Sequence, residues 1–222
     1  MEWRLLREIP FFLDTADFLA QMCIKPGSSQ AESCQKLIDQ ALSLAKPRAL
    51  YLPKRVEELD ESGMTVDGVR FSSKLFLPRL RVGEEIYFFL ATCGAEIGAL
   101  RHSFRDDLLR GYWADCLAER VLWRAVAALE EALSSVITDK YLAALNPGSL
   151  PEWPLFEQKP LFALLGGAAA ACGVSLNEYC VMQPQKSVSG FYFSSDKEYY
   201  NCELCPRLRC PGRRAACIEQ VE

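Results

Sequence analysis

The sequence has little of several features that mark common classes of protein. It carries 25 Lys and Arg against 29 Asp and Glu, a formal net charge of −4, so no basic excess is available to neutralise the phosphates of a nucleic acid. Its one histidine is His102, which argues against a Ser/His/Asp catalytic triad. No Gly-x-Gly-x-x-Gly motif occurs, which disfavours a dinucleotide-binding fold. Composition therefore argues against nucleic-acid binding and leaves two common enzyme classes without their signature.

Long apolar runs and an export signal are missing as well. The uncharged stretch 160–177 contains three glycines, whereas a membrane-spanning helix needs about 20 strongly apolar residues. We expect a buried helix and a turn there, and no membrane association. Residues 1–8 are charged and lack the apolar centre of a secretory signal. These observations predict a cytoplasmic protein.

Cysteine is abundant, with ten residues. Without an export signal, a disulfide framework is not expected. Six cysteines lie in apolar surroundings, where cysteine packs as a small hydrophobic residue. We predict that these six fill the core: Cys23, Cys34, Cys93, Cys116, Cys172 and Cys180.

The apolar pattern predicts an α+β fold with a mainly antiparallel sheet, because regular βαβ alternation is missing. Helices are predicted at 15–23, from 29 to about 46, and at 96–104, 106–137 and 157–172. Strands are predicted at 49–52, 66–71, 75–77, 86–90, 176–181 and 187–193. Strand 86–90 is apolar on both faces, which indicates a central position in the sheet. Residues 146–154 are rich in turn formers and predict a loop.

The C-terminus carries the strongest local motif. Cys202, Cys205, Cys210 and Cys217 follow the spacing C-x2-C-x4-C-x6-C, and four thiolates suit either tetrahedral zinc or an iron–sulfur cluster. Neighbouring arginines would favour the thiolate forms. We expect an iron–sulfur cluster, [4Fe–4S] in type, with zinc or free thiols as alternatives. The chain then divides into a body, 1–200, and a cysteine-rich segment, 201–222, that needs the metal to fold.

Two further segments carry a resemblance to a known family. The loop and helix at 146–162 precede Met182-x-Pro-x-x-Ser-Val-Ser-Gly-x-Tyr-Phe193, in the order typical of the activation domain of cobalamin-dependent methionine synthase. Ala91-Thr-Cys-Gly94 and the helix around 111–119 resemble free-standing bacterial versions of that domain. The resemblance covers about residues 10–200.

The resemblance implies a C-shaped α+β domain with a central twisted, mainly antiparallel sheet flanked by helices. In that family the domain caps a corrinoid protein and binds S-adenosylmethionine, and inactive cob(II)alamin is reduced and then methylated by that donor. Carried over residue by residue, the candidate cofactor-binding residues are Asn146, Pro147, Gly148, Ser189, Gly190 and Tyr192. No catalytic residue is assigned. Cobalamin would reach the protein on a corrinoid-binding protein or methyltransferase.

The chain departs from the family at the donor site. The family's Arg-x-x-Pro-Gly-Tyr loop is Ala144-Leu-Asn-Pro-Gly-Ser149 here, so both the arginine and the tyrosine are missing. An arginine there would be a bidentate partner for the donor's carboxylate. An acid of the family's long helix is replaced by Trp123. These departures count against ordinary binding of S-adenosylmethionine.

Three functions stay open. The first is an accessory protein that reactivates a corrinoid protein by reduction, with the electron passing through the C-terminal cluster. The second is S-adenosylmethionine-dependent reductive methylation of cob(II)alamin, as in methionine synthase. The third is a non-catalytic module that binds a corrinoid protein and holds a structural zinc.

Overall fold

The structure, a computed structural model, describes residues 3–138, 140–210 and 213–218. Residues 1–2, 139, 211–212 and 219–222 lie outside the described part, including six positions of the predicted segment 201–222. The helices are α1 (Thr15–Gln21), α2 (Ser29–Leu44), α3 (Ala95–Gly98), α4 (Leu108–Ser134), α5 (Gln158–Leu165) and α6 (Gly167–Cys172). Short 3-10 turns follow at Leu100–Phe104, Leu155–Glu157 and Asn201–Glu203.

The strands confirm the α+β prediction. They are β1 (Arg4–Leu6), β2 (Arg48–Arg55), β3 (Glu58–Asp60), β4 (Gly63–Val66), β5 (Val69–Ser72), β6 (Glu85–Thr92), β7 (Tyr141–Leu145), β8 (Ser175–Leu176), β9 (Met182–Gln183) and β10 (Ser187–Ser195). The main sheet has the order β1-β2-β6-β10-β7, and every neighbouring pair in it is antiparallel. Strand β6 lies in the middle, as its two apolar faces predict.

The two faces of this sheet bury two hydrophobic cores. On one face, α2 and α4 pack against Phe89 and Tyr192. On the other face, Phe88 and Phe191 pack against Trp153, α5, α6 and the small β3-β4-β5 sheet. Successive side chains of a strand point to opposite faces, so β6 and β10 supply both cores.

Several predicted elements are wrong in detail, and each error has a local cause. The predicted strand 66–71 is a hairpin, because Asp67 and Gly68 both adopt positive φ, as a tight turn between antiparallel strands requires. The predicted helix 157–172 divides at Gly166, whose φ is +52°. Residues 75–77 form turns rather than a strand. Of the predicted strand 176–181, only the first residue belongs to a strand, β8. The predicted helix 96–104 is a short helix followed by a 3-10 turn.

The prediction for the six scattered cysteines holds for four of them. Cys34, Cys93, Cys172 and Cys180 are buried, whereas Cys116 is half-buried and Cys23 is exposed. Cys23 lies just after α1 with a φ of +56°, so it terminates a helix at the surface instead of filling the core. Within the described residues, no helix combines the length and apolar character that crossing a membrane would require.

Candidate functional site

The end of β7 and the middle of β10 meet more closely than ordinary side chains allow. A Cβ atom at Gly190 would overlap the carbonyl oxygen of Leu145 and come within 2.8 Å of the Asn146 amide nitrogen. That amide donates a hydrogen bond of 2.9 Å to the carbonyl oxygen of Ser189. Glycine and asparagine therefore join the two strands at the point where β7 leaves the sheet.

The Pro-Gly loop after β7 is closed around a buried tryptophan. The backbone N–H of Gly148, at a φ of +83°, donates to the carbonyl oxygen of Trp153 at 2.7 Å. Trp153 is fully buried and lies between Phe76 and Phe191, with ring centres 5.3 Å from each. Pro147 and Gly148 thus shape the loop, and Trp153 belongs to the core rather than to a surface for a partner.

Tyr192 and Ser189 face opposite sides of the sheet. Tyr192 lies beside Phe89, with ring centres 4.5 Å apart, and its hydroxyl donates to Glu130 Oε1 at 3.1 Å. Burial, followed by the charge of Glu130, raises the pKa of Tyr192 far above its ordinary value, so the hydroxyl stays protonated. Ser189 pairs with Leu90 on the other face and is 2% exposed. Among the described residues, no hydrogen-bond partner reaches its hydroxyl.

The candidate site is a cavity of about 210 Å³ between α4 and the β10–β7 side of the sheet. We call it the aromatic cavity. Asn146 and Tyr192 line it among the predicted residues, as does Ala144, at the position where the resemblance implies an arginine. Pro147, Gly148, Ser189 and Gly190 do not line it. The sheet also contributes Phe89, Leu142 and Val188, and α4 contributes Trp123, Val126 and Glu130. The remaining wall comes from Tyr199 and Tyr200 and from the C-terminal segment, through Asn201, Cys202 and Arg214.

Glu130 and Arg214 are site residues that the sequence did not reveal. Glu130 lies two helical turns after Trp123, so the two share one face of α4. The seven-residue spacing between Trp123 and Glu130 is the sequence signal that could have indicated an acid in the cavity. Arg214 reaches the cavity from the C-terminal segment, and its guanidinium carbon lies 5.6 Å from the centre of the Trp123 ring, a cation–π distance.

The C-terminal segment is organised by an arginine. The guanidinium of Arg213 donates to the carbonyl oxygens of Cys202 at 2.7 Å, Cys205 at 2.8 Å, Arg207 at 2.9 Å and Ala215 at 3.0 Å. The Asn201 amide donates to Asn146 Oδ1 at 3.2 Å, which ties the segment to the loop after β7. One half-buried cation therefore holds this segment together, and the Asn201–Asn146 hydrogen bond joins it to the body.

The four predicted metal ligands are not gathered. All four thiols are free, three of them half-exposed and Cys217 buried, and Cys202 Sγ accepts a hydrogen bond of 3.4 Å from the backbone N–H of Arg214. Across residues 3–138, 140–210 and 213–218, no group of three or more His, Cys, Asp or Glu side chains is placed to hold a metal ion. The arrangement described here therefore does not fit a cluster or a zinc ion without rearrangement of the segment.

Comparisons with known proteins agree with the fold and the strand motif. A profile of the family described as "Vitamin B12 dependent methionine synthase, activation domain" matches residues 85–208, more than half of the chain. The solved structure entitled "Crystal Structure of the MetH Reactivation Domain bound to AdoHcy" is similar in fold, with a TM-score of 0.57 and 17% sequence identity. That match covers 90% of this chain and 81% of the other. A search of curated proteins finds no match. The chain belongs to the family of the vitamin B12-dependent methionine synthase activation domain.

Proposed function

We propose that this protein is an accessory factor that reactivates a corrinoid protein by reduction. The observation that carries the proposal is the aromatic cavity, which forms where the family's strand motif meets α4. Trp123, 45% exposed, stands at its margin, where a docked partner could reach it. The corrinoid is the substrate and stays on its partner protein. The reaction takes place in the cytoplasm, which agrees with the ten cysteines being free thiols.

The residues that line the aromatic cavity contribute a neutral hydroxyl group and apolar walls to the proposed reaction. The Tyr192 hydroxyl is held by Glu130 and kept protonated, so it offers a neutral polar surface and no acid near neutral pH. Trp123 and Phe89 add apolar walls that would exclude water from a docked reaction partner. The proposed chemistry is one-electron reduction of cob(II) to cob(I).

We propose that the four C-terminal thiols bind an iron–sulfur cluster, which would supply this electron. The alternative is a structural zinc ion, which is redox-inert and would supply none. The spacing of the thiols supports the proposal, as does the partial exposure of three of them. Because the described arrangement does not gather them, loading requires the segment to refold around the metal. An external one-electron reductant would have to reduce the cluster.

Metal content tests this part directly. The full chain is purified without oxygen, and iron, zinc and inorganic sulfide are determined. We expect iron and sulfide, lost in a Cys202→Ala/Cys205→Ala variant and kept in a Cys23→Ala control, since Cys23 is exposed outside the segment. A colourless protein with zinc would favour the non-catalytic binding module. A protein with neither metal would remove the electron source.

Corrinoid reduction tests the function itself. The reduced protein is mixed with a corrinoid protein loaded in the cob(II) state, and the visible spectrum is followed. We expect conversion to cob(I) that depends on the cysteine-rich segment. An unchanged cob(II) spectrum with a fully loaded, reduced protein would contradict the proposal.

A second candidate is reductive methylation with S-adenosylmethionine. One observation favours it: the similar solved structure is entitled as bound to AdoHcy, which is S-adenosylhomocysteine, and this chain keeps a cavity with one acid and one cation. Calorimetry with S-adenosylmethionine, alone and with a corrinoid partner, tests it. The absence of binding heat in both experiments would exclude this candidate and leave the reduction proposal standing.

A further inference from the structure

The aromatic cavity carries one charge of each sign. Among the described residues that line it, Glu130 is the acid and Arg214 is the cation. Both act on the Tyr192 hydroxyl, where Glu130 raises the pKa and Arg214 lowers it. The two charges therefore both lie near the Tyr192 hydroxyl, in a cavity that Tyr192, Trp123 and Phe89 also line. A cavity built in this way is complementary to a zwitterion with an aromatic or otherwise apolar part.

Arg214 is placed so that it can receive a ligand. Its side chain is exposed and lies over Trp123, and none of the ion pairs within the described residues involves it. Its backbone is fixed by two contacts. The preceding Arg213 is anchored on four carbonyl groups, and the N–H of Arg214 itself is bonded to Cys202 Sγ. A guanidinium that is held in place but not yet paired can bind a carboxylate through two parallel hydrogen bonds.

The sheet side of the cavity offers no such group. Strand β7 contributes only Leu142 and Ala144, and β10 contributes Val188 and Tyr192. Among the described residues that line the cavity, the cationic partner for an anionic group of a ligand is therefore Arg214, on the C-terminal segment.

We propose that Arg214 binds the carboxylate of a zwitterionic amino-acid ligand of the sulfonium class in the aromatic cavity, with the cationic part of the ligand facing Glu130. The inference rests on the second candidate function, donor binding, and adds to it the residue that recognises the carboxylate. It also gives the C-terminal segment a role in ligand binding that does not depend on a metal.

The test compares two ligands on the full chain by calorimetry: S-adenosylmethionine and decarboxylated S-adenosylmethionine, which lacks the carboxylate. We expect Arg214→Ala to weaken binding of S-adenosylmethionine about 10- to 100-fold, the range for loss of a charged hydrogen-bonded pair. Binding of the decarboxylated ligand should change less than about threefold. Arg209→Ala is the matched control, because Arg209 is an exposed arginine of the same segment that does not line the cavity.

Arg214→Lys keeps the charge and removes the planar fork, so we expect an intermediate loss for S-adenosylmethionine. If Arg214→Ala loses the same affinity for both ligands, the residue acts only on the fold of the segment. If its affinity for S-adenosylmethionine is unchanged, the residue does not contact the ligand. Either result overturns the inference while donor binding stands. No binding by the unmodified chain would overturn donor binding and the inference together. The corrinoid reduction assay remains a separate measurement.

Discussion

At the scale of single residues, the side chains of the Ser-Val-Ser-Gly-x-Tyr motif point to both faces of the sheet. Val188 and Tyr192 face the aromatic cavity, whereas Ser189 is buried on the opposite side. Gly190 serves neither face, since its role is to let the backbone of Leu145 and the amide of Asn146 come close. The motif therefore specifies how β7 joins β10 as much as it specifies a binding surface.

Gly190 yields a stability prediction. Gly190→Ala should lower the free energy of unfolding by about 2–4 kcal/mol, because the added methyl group overlaps a backbone carbonyl that cannot move alone. Gly167→Ala is the control: an added Cβ there has nothing within 4 Å, and alanine in a helix gains about 0.4–1 kcal/mol. Urea unfolding of both variants measures the difference, and equal stabilities would show that β7 and β10 tolerate a wider separation.

At the scale of elements, the C-terminal segment depends on one side chain. Arg213 satisfies four backbone carbonyl groups that would otherwise need water or secondary structure. The segment also packs Leu204 and Cys205 against the second core. Within the described residues, Arg213 holds the segment together, while Leu204, Cys205 and the hydrogen bond from Asn201 to Asn146 attach it to the body.

Arg213→Ala should release this segment while the body remains folded. We expect the amides of residues 201–210 to exchange with deuterium about tenfold or more faster, since several hydrogen bonds to a charged group are lost. The amides of β6 and β10 should keep their rates. Arg209→Ala should leave both sets unchanged. Unaltered exchange in Arg213→Ala would mean that the other contacts of the segment are enough to keep it ordered.

The elements also show what the sequence can predict. Strand β6 was predicted because its residues 86–90 are apolar on both faces, and β10 because residues 187–193 alternate in character up to Gly190. Strand β7 was missed, because Tyr141-Leu-Ala-Ala-Leu145 is short, rich in alanine and without alternation, so its pattern does not distinguish a strand from a helix. The cavity itself could not be predicted, since Glu130 and Arg214 are far apart in sequence and meet only through the packing of the segment on α4.

At the scale of the whole molecule, the double-sided sheet places thiols in both cores. Cys93 lies with α2 and α4, and Cys172 lies with α5 and α6. Burial raises the pKa of each thiol to about 12 from an ordinary value of 9.0. Both thiols therefore stay protonated in the folded protein at pH values where the unfolded chain loses those protons.

This difference predicts how stability depends on alkaline pH. Below pH 9 both states hold the protons and the full stability is present; between pH 9 and 12 the native state binds more protons, so the free energy of unfolding falls as pH rises. The slope is at most about 1.4 kcal/mol per pH unit for each thiol. Urea unfolding at pH 8 and pH 10 should show the loss. Cys172→Ala should reduce the slope and Cys23→Ala should not. Identical slopes in all three proteins would rule out the Cys172 thiol as a source.

The proposed metal and the proposed carboxylate ligand both depend on the C-terminal segment. In the described arrangement no three thiols are grouped to hold a metal, Arg213 bonds the carbonyl oxygens of Cys202 and Cys205, and Arg214 lies over Trp123. If the proposed cluster forms, Cys202 and Cys205 would have to move, and with them the hydrogen bonds that fix Arg213 and the backbone of Arg214. Metal and carboxylate ligand would then be antagonists by thermodynamic linkage, each weakening the other by the same factor.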